Sequence, residues 1–423
     1  MVIMIERSDG VCGTAKEGAG TLLPDTVRTW LRWVASFLTG ALCAVGLCGA
    51  TGPQATAQTV DARHEFSGWL GGSFDRVLVS HAGLRSIPEL SVGYALTDDV
   101  ALDADAALQL RVELRRGEAP DANAELHRLS LRIASERMEL RAGLQKLNFG
   151  SALLVRPLMW FDRVDPRDPL AVASGVRGIL ARGTMQNNAS LWLWALYGND
   201  EPRGIDADAT VRHTPEFGGR VQLPMGAGEA AVTFHHRRAY GVAAGSAAGA
   251  SAPQGQSSVL GQISTAGASS LHENRIGLDG KWDVGIGIWG EGVLMHRGAR
   301  GDATWTSLAT LGADYTFAWG NGLGITCEHA VGQGGARLGA LAETAQLTAL
   351  AATYPLDALH GASVMVFHDW RSGNWYRLAS LARTEDVWSA HLLLFWNPAR
   401  DLAAWGGSAF GGSGFMLLAA IYH

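Results

Sequence analysis

The segment VALDADAALQLRVELR, residues 100–115, constrains the fold more than any other part of the chain. Leu102, Ala104, Ala106, Leu108, Leu110, Val112 and Leu114 share one parity, and Ala101, Asp103, Asp105, Ala107, Gln109, Arg111, Glu113 and Arg115 share the other. A helix would scatter those charges around its circumference. A strand turns successive side chains to opposite faces, so only a strand makes this segment apolar on one side and wet on the other.

The same period-2 pattern recurs in windows of about 8 to 15 residues bounded by Gly, Pro, Asn and Asp. HEFSGWLGGSFD and PELSVGYAL precede the defining segment. ELHRLSLRI, MELRAGLQK, VRGILARG, ASLWLWALYG, EFGGRVQL and AAVTFHHRRAY follow it. The rest run from LHENRIGLD and WDVGIGIWGEGVL to GFMLLAAIYH at the C-terminus. The reading predicts about 18 strands, with about 16 as the alternative. Tight turns (TDD, SER, QNNA, PMGAG, DGK, WGNG, PLDA, TED) follow the even segments. Most connections after the odd ones are read as long, notably residues 146–176, 241–270 and 397–413, with RSG a short exception. The insert after AAVTFHHRRAY is rich in Gly, Ala, Ser and Gln, too poor in apolar residues to build a core.

A soluble sandwich also alternates, but its apolar faces meet inside and its edge strands stay exposed. Here one face is apolar in nearly every segment, while the other carries Asp, Glu, Arg, Gln, Thr and Gly. Lipid outside and water or polar groups inside, with every ladder bond closed, answer that pattern. The fold class is therefore all-β, a transmembrane antiparallel β-barrel occupying residues 58–423 and placed in the cell outer membrane. Its lipid neighbours are outer-membrane lipids. Trp305, Tyr315, Phe317, Trp370, Trp375, Trp388, Trp396 and Tyr422, near strand ends, suit interfacial girdles.

Residues 1–57 form an N-terminal extension and a secretory signal. Arg28 and Arg32 precede WVASFLTGALCAVGLCGA, and Ala55-Thr56-Ala57 offers a small-x-small cleavage site. A start at Val27 gives an ordinary signal length. Cleavage after Ala57 leaves Cys327 alone of the 4 cysteines, so no disulfide framework is expected. With 34 Lys+Arg against 40 Asp+Glu and no basic run, nucleic acid is not an expected partner.

The signal, the strand rhythm and the segment ELRAGLQKLNFG…RPLMWFDRVDPRDPL together resemble the Gram-negative outer-membrane porin-like proteins, nearest to the alginate-export-like and substrate-specific porins. In those, a strand reading xRxGxQxxxxG leads into a loop carrying Asp-Pro near the pore. The resemblance implies a channel for passage or export of small hydrophilic solutes, and recognition by the outer-membrane assembly machinery. The terminal Ile421-Tyr422-His423 departs from the family, whose last residue is most often Phe. A homotrimer is compatible with the small-residue faces of IGIWG and GASV.

The loop after MELRAGLQK supplies the constriction candidates Arg156, Trp160, Asp162, Arg163, Asp165, Arg167 and Asp168. Asp165-Pro166 and Asp168-Pro169 restrict its backbone to defined turns. Two arrangements stay open: a loop folded into the lumen whose charges set a transverse field, or an external cap whose Arg and Asp pair with each other. The lumen-wall candidates are Asp103, Asp105, Arg111, Glu113, Arg115, Arg128, Arg132, Glu139, Arg141, Arg182, Arg220, Arg237, Glu291, Asp314 and Glu328. A ladder of Arg111, Arg128, Arg132, Arg141 and Arg182 would favour anionic or acidic-sugar solutes by focusing potential. The competing account has these arginines neutralise Asp103, Asp105, Glu113 and Glu139 on neighbouring strands.

His235 and His236 point to opposite faces and cannot chelate one ion together. No metal site, cofactor or catalytic motif is expected, though His213, His272 and His329 leave an outer-membrane hydrolase arrangement open. The second functional reading is a plugged structural or adhesive barrel whose external loops bind a ligand.

Overall fold

The computed structural model describes residues 59–74, 77–162, 164–206, 208–241, 269–299, 302–398 and 410–423. Residues 1–57, where a signal is expected, and most of the Gly/Ala/Ser insert lie outside the described residues, as do Arg163 and residues 399–409. Eighteen strands run in sequence: β1 Thr59–Ser73, β2 Val77–Thr97, β3 Val100–Arg115, β4 Asp121–Ser135, β5 Met138–Gln145 and β6 Val176–Thr184. There follow β7 Ser190–Leu196, β8 Glu216–Met225, β9 Gly228–Gly241, β10 Ser269–Asp283, β11 Gly287–Ala299 and β12 Asp302–Phe317. The circuit ends with β13 Leu323–Gly335, β14 Ala342–Pro355, β15 His360–Asp369, β16 Asn374–Thr384, β17 Trp388–Trp396 and β18 Ser413–Tyr422.

Each strand pairs antiparallel with the next, and β1 pairs with β18 from Glu65↔Tyr422 to Ser73↔Gly414. The sheet thus has no edge, which is the condition for a strand structure in hydrocarbon. The strand count and antiparallel closure agree with the alternation.

The two faces separate as the pleat demands. Leu131, Ile133, Leu140, Ile179, Leu193, Val232, Ile276, Leu311, Val364 and Leu417 stand exposed on the outer surface. Their odd or even neighbours, such as Arg237, Glu273, Arg275 and Glu328, are buried within. Trp370, Trp375 and Trp396 are exposed at one rim, and Tyr315, Phe317 and Trp319 at the other. An apolar belt between two aromatic rims, on a closed barrel, belongs to an outer-membrane protein. Tyr422 departs from the expected girdle. It shares the inward parity of Ala420, and its hydroxyl lies 3.3 Å from that of Ser389, which is buried.

The loop rhythm needs one correction. Of the connections after odd strands, those after β5, β7, β9 and β17 are long, whereas residues 74–76, 116–120, 300–301, 336–341 and 370–373 are short links. The first of these is short because β2 begins at Val77, well before PELSVGYAL. Pairing with β1 runs on to Ser73↔Val77, so ladder bonds absorb residues whose side-chain pattern does not alternate.

Candidate functional site

The 30-residue connection between β5 and β6, residues 146–175, folds into the barrel and crosses it. Its first half is held by two carboxylates on the opposite wall. Glu328 of β13 accepts the backbone N–H groups of Leu153 (2.6 Å), Leu154 (3.0 Å) and Val155 (2.6 Å), and the indole N–H of Trp289 (2.9 Å). Glu291 of β11 accepts those of Ala152 (2.6 Å) and Leu158 (3.2 Å). The Thr310 hydroxyl donates to the Val155 carbonyl (2.9 Å). Loop backbone inside a barrel must find partners, and these wall groups supply them.

Apolar anchors complete the seat. Leu147, Phe149, Leu158, Trp160 and Phe161 pack with Val176, Leu180, Trp194, Leu196, Val293 and Met295. Trp160 is 1% exposed, and its N–H is satisfied by the Pro157 carbonyl. Leu154 enters a second cluster with Leu347, Phe367 and Tyr376, and Leu170 a third with Leu378, Leu393 and Phe395. Gly277 leaves room for the Leu158 side chain, and Gly150 has φ +101 with its α-carbon against Glu291. A β-carbon fits at neither place.

The second half of the loop turns its acids toward β2 and β3. The Arg85 guanidinium donates to the Leu170 carbonyl (2.8 Å) and to Glu65 (2.7 Å). Burial raises the Asp168 carboxyl pKa, opposed by bonding to the Leu170 N–H and the nearby charges of Arg85 and Arg111. Burial likewise raises Asp162, against the pull of Arg156 and Lys146. Two of the expected pairings within the loop do form: Arg167 with Asp165 (2.7 Å) and, more loosely, Arg156 with Asp162 (3.8 Å). The loop thus combines both arrangements left open by the sequence, lying inside while its own charges pair.

A second loop, residues 197–215, also folds inward. Arg203, Asp206, Asp208 and Thr210 are buried. Asp206 pairs with Arg275 (2.6 Å) and Arg237 (3.2 Å), and Asp208 with Arg297 (3.0 Å). Arg237, Arg275 and Arg297 converge on Glu273, and Arg203 pairs with Glu216. His235 accepts from the Trp194 indole at Nδ1 (3.2 Å), which leaves Nε2 to donate to Glu216 (3.1 Å). Of this cluster the sequence singled out Arg237 as a wall candidate and His235 for the face it takes. The signal for Glu273 and Arg275 was present as alternation with His272, Asn274 and Ile276 in LHENRIGLD. Nothing local marked Arg203, Asp206 or Asp208.

Along β1 to β6 the wall is different. Arg132 and Asp103 pair at 2.7 Å yet remain 35% and 33% exposed. Arg128 pairs with Glu89 (2.9 Å), Arg141 with Glu139 (2.7 Å), and both Arg111 and Arg115 reach Glu113. Asp105 takes hydrogen bonds from Ser91 (2.7 Å) and Ser130 (3.4 Å). Among the described residues, Lys146 and Arg182 have no carboxylate partner; Arg182 stacks over Trp192 at 4.4 Å. Of the other wall candidates, Arg220 is clamped by Asp279 (2.5 Å), and Asp314 lies low on β12 opposite Thr326.

His213 sits 3.4 Å from the Tyr197 hydroxyl, His329 bonds Thr348 (2.9 Å), and His272 stacks on His236. Among the described residues no three His, Cys, Asp or Glu lie close enough to hold a metal ion.

No protein-family model and no curated protein matches the chain. Solved structures do. OccAB1 of Acinetobacter baumannii superposes with a TM-score of 0.54 at 10% identity, covering 88% of this chain and 99% of that one. OpdK of Pseudomonas aeruginosa, an outer-membrane protein, gives 0.53 at 12%, covering 87% and 99%. OccD3 (OpdP) of the same organism gives 0.52 at 12%, covering 87% and 93%. The fold is that of the outer-membrane porins.

Proposed function

We propose that the protein is a passive channel for small hydrophilic solutes, exported behind the signal in residues 1–57. The observation that carries this is the crossing loop. It narrows an 18-stranded barrel, touching β2 at Arg85, and leaves the charged wall of β3 to β5 solvated, where Arg132 and Asp103 keep about a third of their surface accessible. The half-buried loop acid Asp168 lies within the influence of Arg85 and Arg111, so a solute passing beside it experiences a transverse field.

A preference for anionic or acidic-sugar solutes belongs to this reading. Its support is Lys146 and Arg182, which form no ion pair with a described carboxylate, whereas the wall arginines are largely neutralised in pairs. The preference is therefore modest. The motif resembling alginate-export-like and substrate-specific porins lies at the root of the crossing loop, which favours a solute-selective channel over a general one. A homotrimer and handling by the assembly machinery are part of the same proposal. The outward glycines Gly290 and Gly292 of β11 supply a close-packing face.

Conductance of the purified protein in planar bilayers tests the channel. Discrete open steps with a mild anion reversal potential are expected, and Lys146→Gln should reduce the latter. Absence of steps would favour a plugged barrel, a reading to which the sealed β8 to β13 side lends its only support.

A further inference from the structure

The apolar outer belt ends abruptly over β9, β10 and β11. Running toward the long-loop rim, the outward positions of β9 change from Val232 and Phe234 to His236 and Arg238. Those of β10 change from Leu278 and Ile276 to Asn274 and His272, and those of β11 from Leu294 to His296. Register places these polar residues side by side: Arg238 opposite His272, and Asn274 between His236 and His296. The outward positions of β8 to β12 hold no Asp or Glu at all.

The cluster is also pre-arranged. His236 and His272 stack with ring centroids 5.8 Å apart, His236 lies 4.9 Å from Phe217, and His296 lies 4.4 Å from Trp305. The His236 Nδ1 bonds the Asn274 carbonyl oxygen at 2.8 Å, which leaves the Asn274 amide N–H groups for a ligand. Arg238 donates to the Ser270 hydroxyl (2.7 Å), and no described carboxylate neutralises it. Water-exposed histidines and an arginine need no such order. Directly beneath them Phe234, Ile276 and Leu278 are exposed to hydrocarbon.

We propose that this rim binds a phosphate-bearing acylated sugar of the outer leaflet, with the phosphate on Arg238 and His272 and the acyl chains along Phe234 and Ile276. A guanidinium, imidazoles and an amide, with no acid among them, offer donors to a phosphate. The position settles which lipid is meant. The long-loop rim faces outward in such barrels, where the leaflet is built of phosphorylated glycolipid. The inference rests on the membrane placement and not on the channel reading.

The test is lipid retention by the purified full chain, counted by intact-protein mass spectrometry in detergent. The probes are a diphosphorylated acylated glucosamine disaccharide, the same molecule without phosphates, and phosphatidylglycerol. Wild type should hold the diphosphorylated lipid at about tenfold lower concentration than either alternative, the size of one charge-assisted contact. Arg238→Gln with His272→Gln should lose that preference while single-channel conductance stays unchanged. Heat-modified gel migration checks folding, and Asn274→Ala with His296→Gln serves if the first pair fails to insert. Equal retention of the dephosphorylated lipid, equal retention of phosphatidylglycerol, or a preference that survives both variants overturns the proposal.

Discussion

The two halves of the barrel interior are built from the same residue types and end in opposite states. On β8 to β13, arginines and carboxylates are buried: Glu273 and Glu328 are 0% exposed and Arg275 is 1%. On β2 to β5 the Arg–Asp and Arg–Glu pairs are similar in length but solvated. Inward loops make the difference. Where residues 146–162 and 197–215 lie against the wall, charges become structural clasps. Where no loop lies, the same pairs line water. Burial state, not composition, decides whether an inward charge holds the fold or meets a solute.

That contrast can be broken most forcefully at Glu328. Replacing it with Ala strands three loop N–H groups and the Trp289 indole, and we expect a loss of about 3–5 kcal/mol in loop anchorage. Larger and noisier single-channel steps are the measurable outcome; an unchanged conductance would show that the loop is held elsewhere.

A paired substitution sharpens the comparison. Arg275→Met leaves Asp206 and Glu273 short of a partner in a dry site and should lower stability by about 3–5 kcal/mol in denaturant unfolding. Its conductance should match wild type. Arg132→Met, on the wet wall, should cost about 1 kcal/mol or less but shift the reversal potential. Reversed behaviour of the two would mean the halves have been assigned the wrong way round.

Accessibility gives a smaller but direct reading. In a Cys327→Ser background, Asp103→Cys should react with a hydrophilic thiol reagent and Thr310→Cys should not, since Thr310 is 0% exposed beneath the loop.

The smallest effect is on pH. Burial raises the carboxyls of Asp162 and Asp168, so the folded chain holds protons that the unfolded chain has already released. Stability is then greatest below the ordinary carboxylate range and declines as pH rises through the raised folded value. Asp162→Asn should flatten that slope in unfolding midpoints measured across the acid range.

Much of this architecture is local and was legible in the residues. VALDADAALQLRVELR could only be a two-faced strand, and enough segments like it forced a closed barrel with Arg132, Glu139 and Arg141 inside. His235 and His236 were placed on opposite faces by the same rule, and the structure buries the first and leaves the second outside. Legibility failed where alternation stopped. Residues 77–86 read as a connection because their pattern is irregular, although pairing with β1 makes them strand.

The pleat has a period of two, so sequence alone settled which face of each strand meets lipid and that the strands must close, while their number stood at about 18 or 16. It could not say that Glu328 would receive Leu153, Leu154 and Val155, or that Arg203, Asp206 and Asp208 would seal one half. Those contacts join residues far apart in the chain, and they exist only after closure brings opposite walls within reach of the inward loops. Tertiary structure therefore decided which charges became clasps and which were left to line the passage.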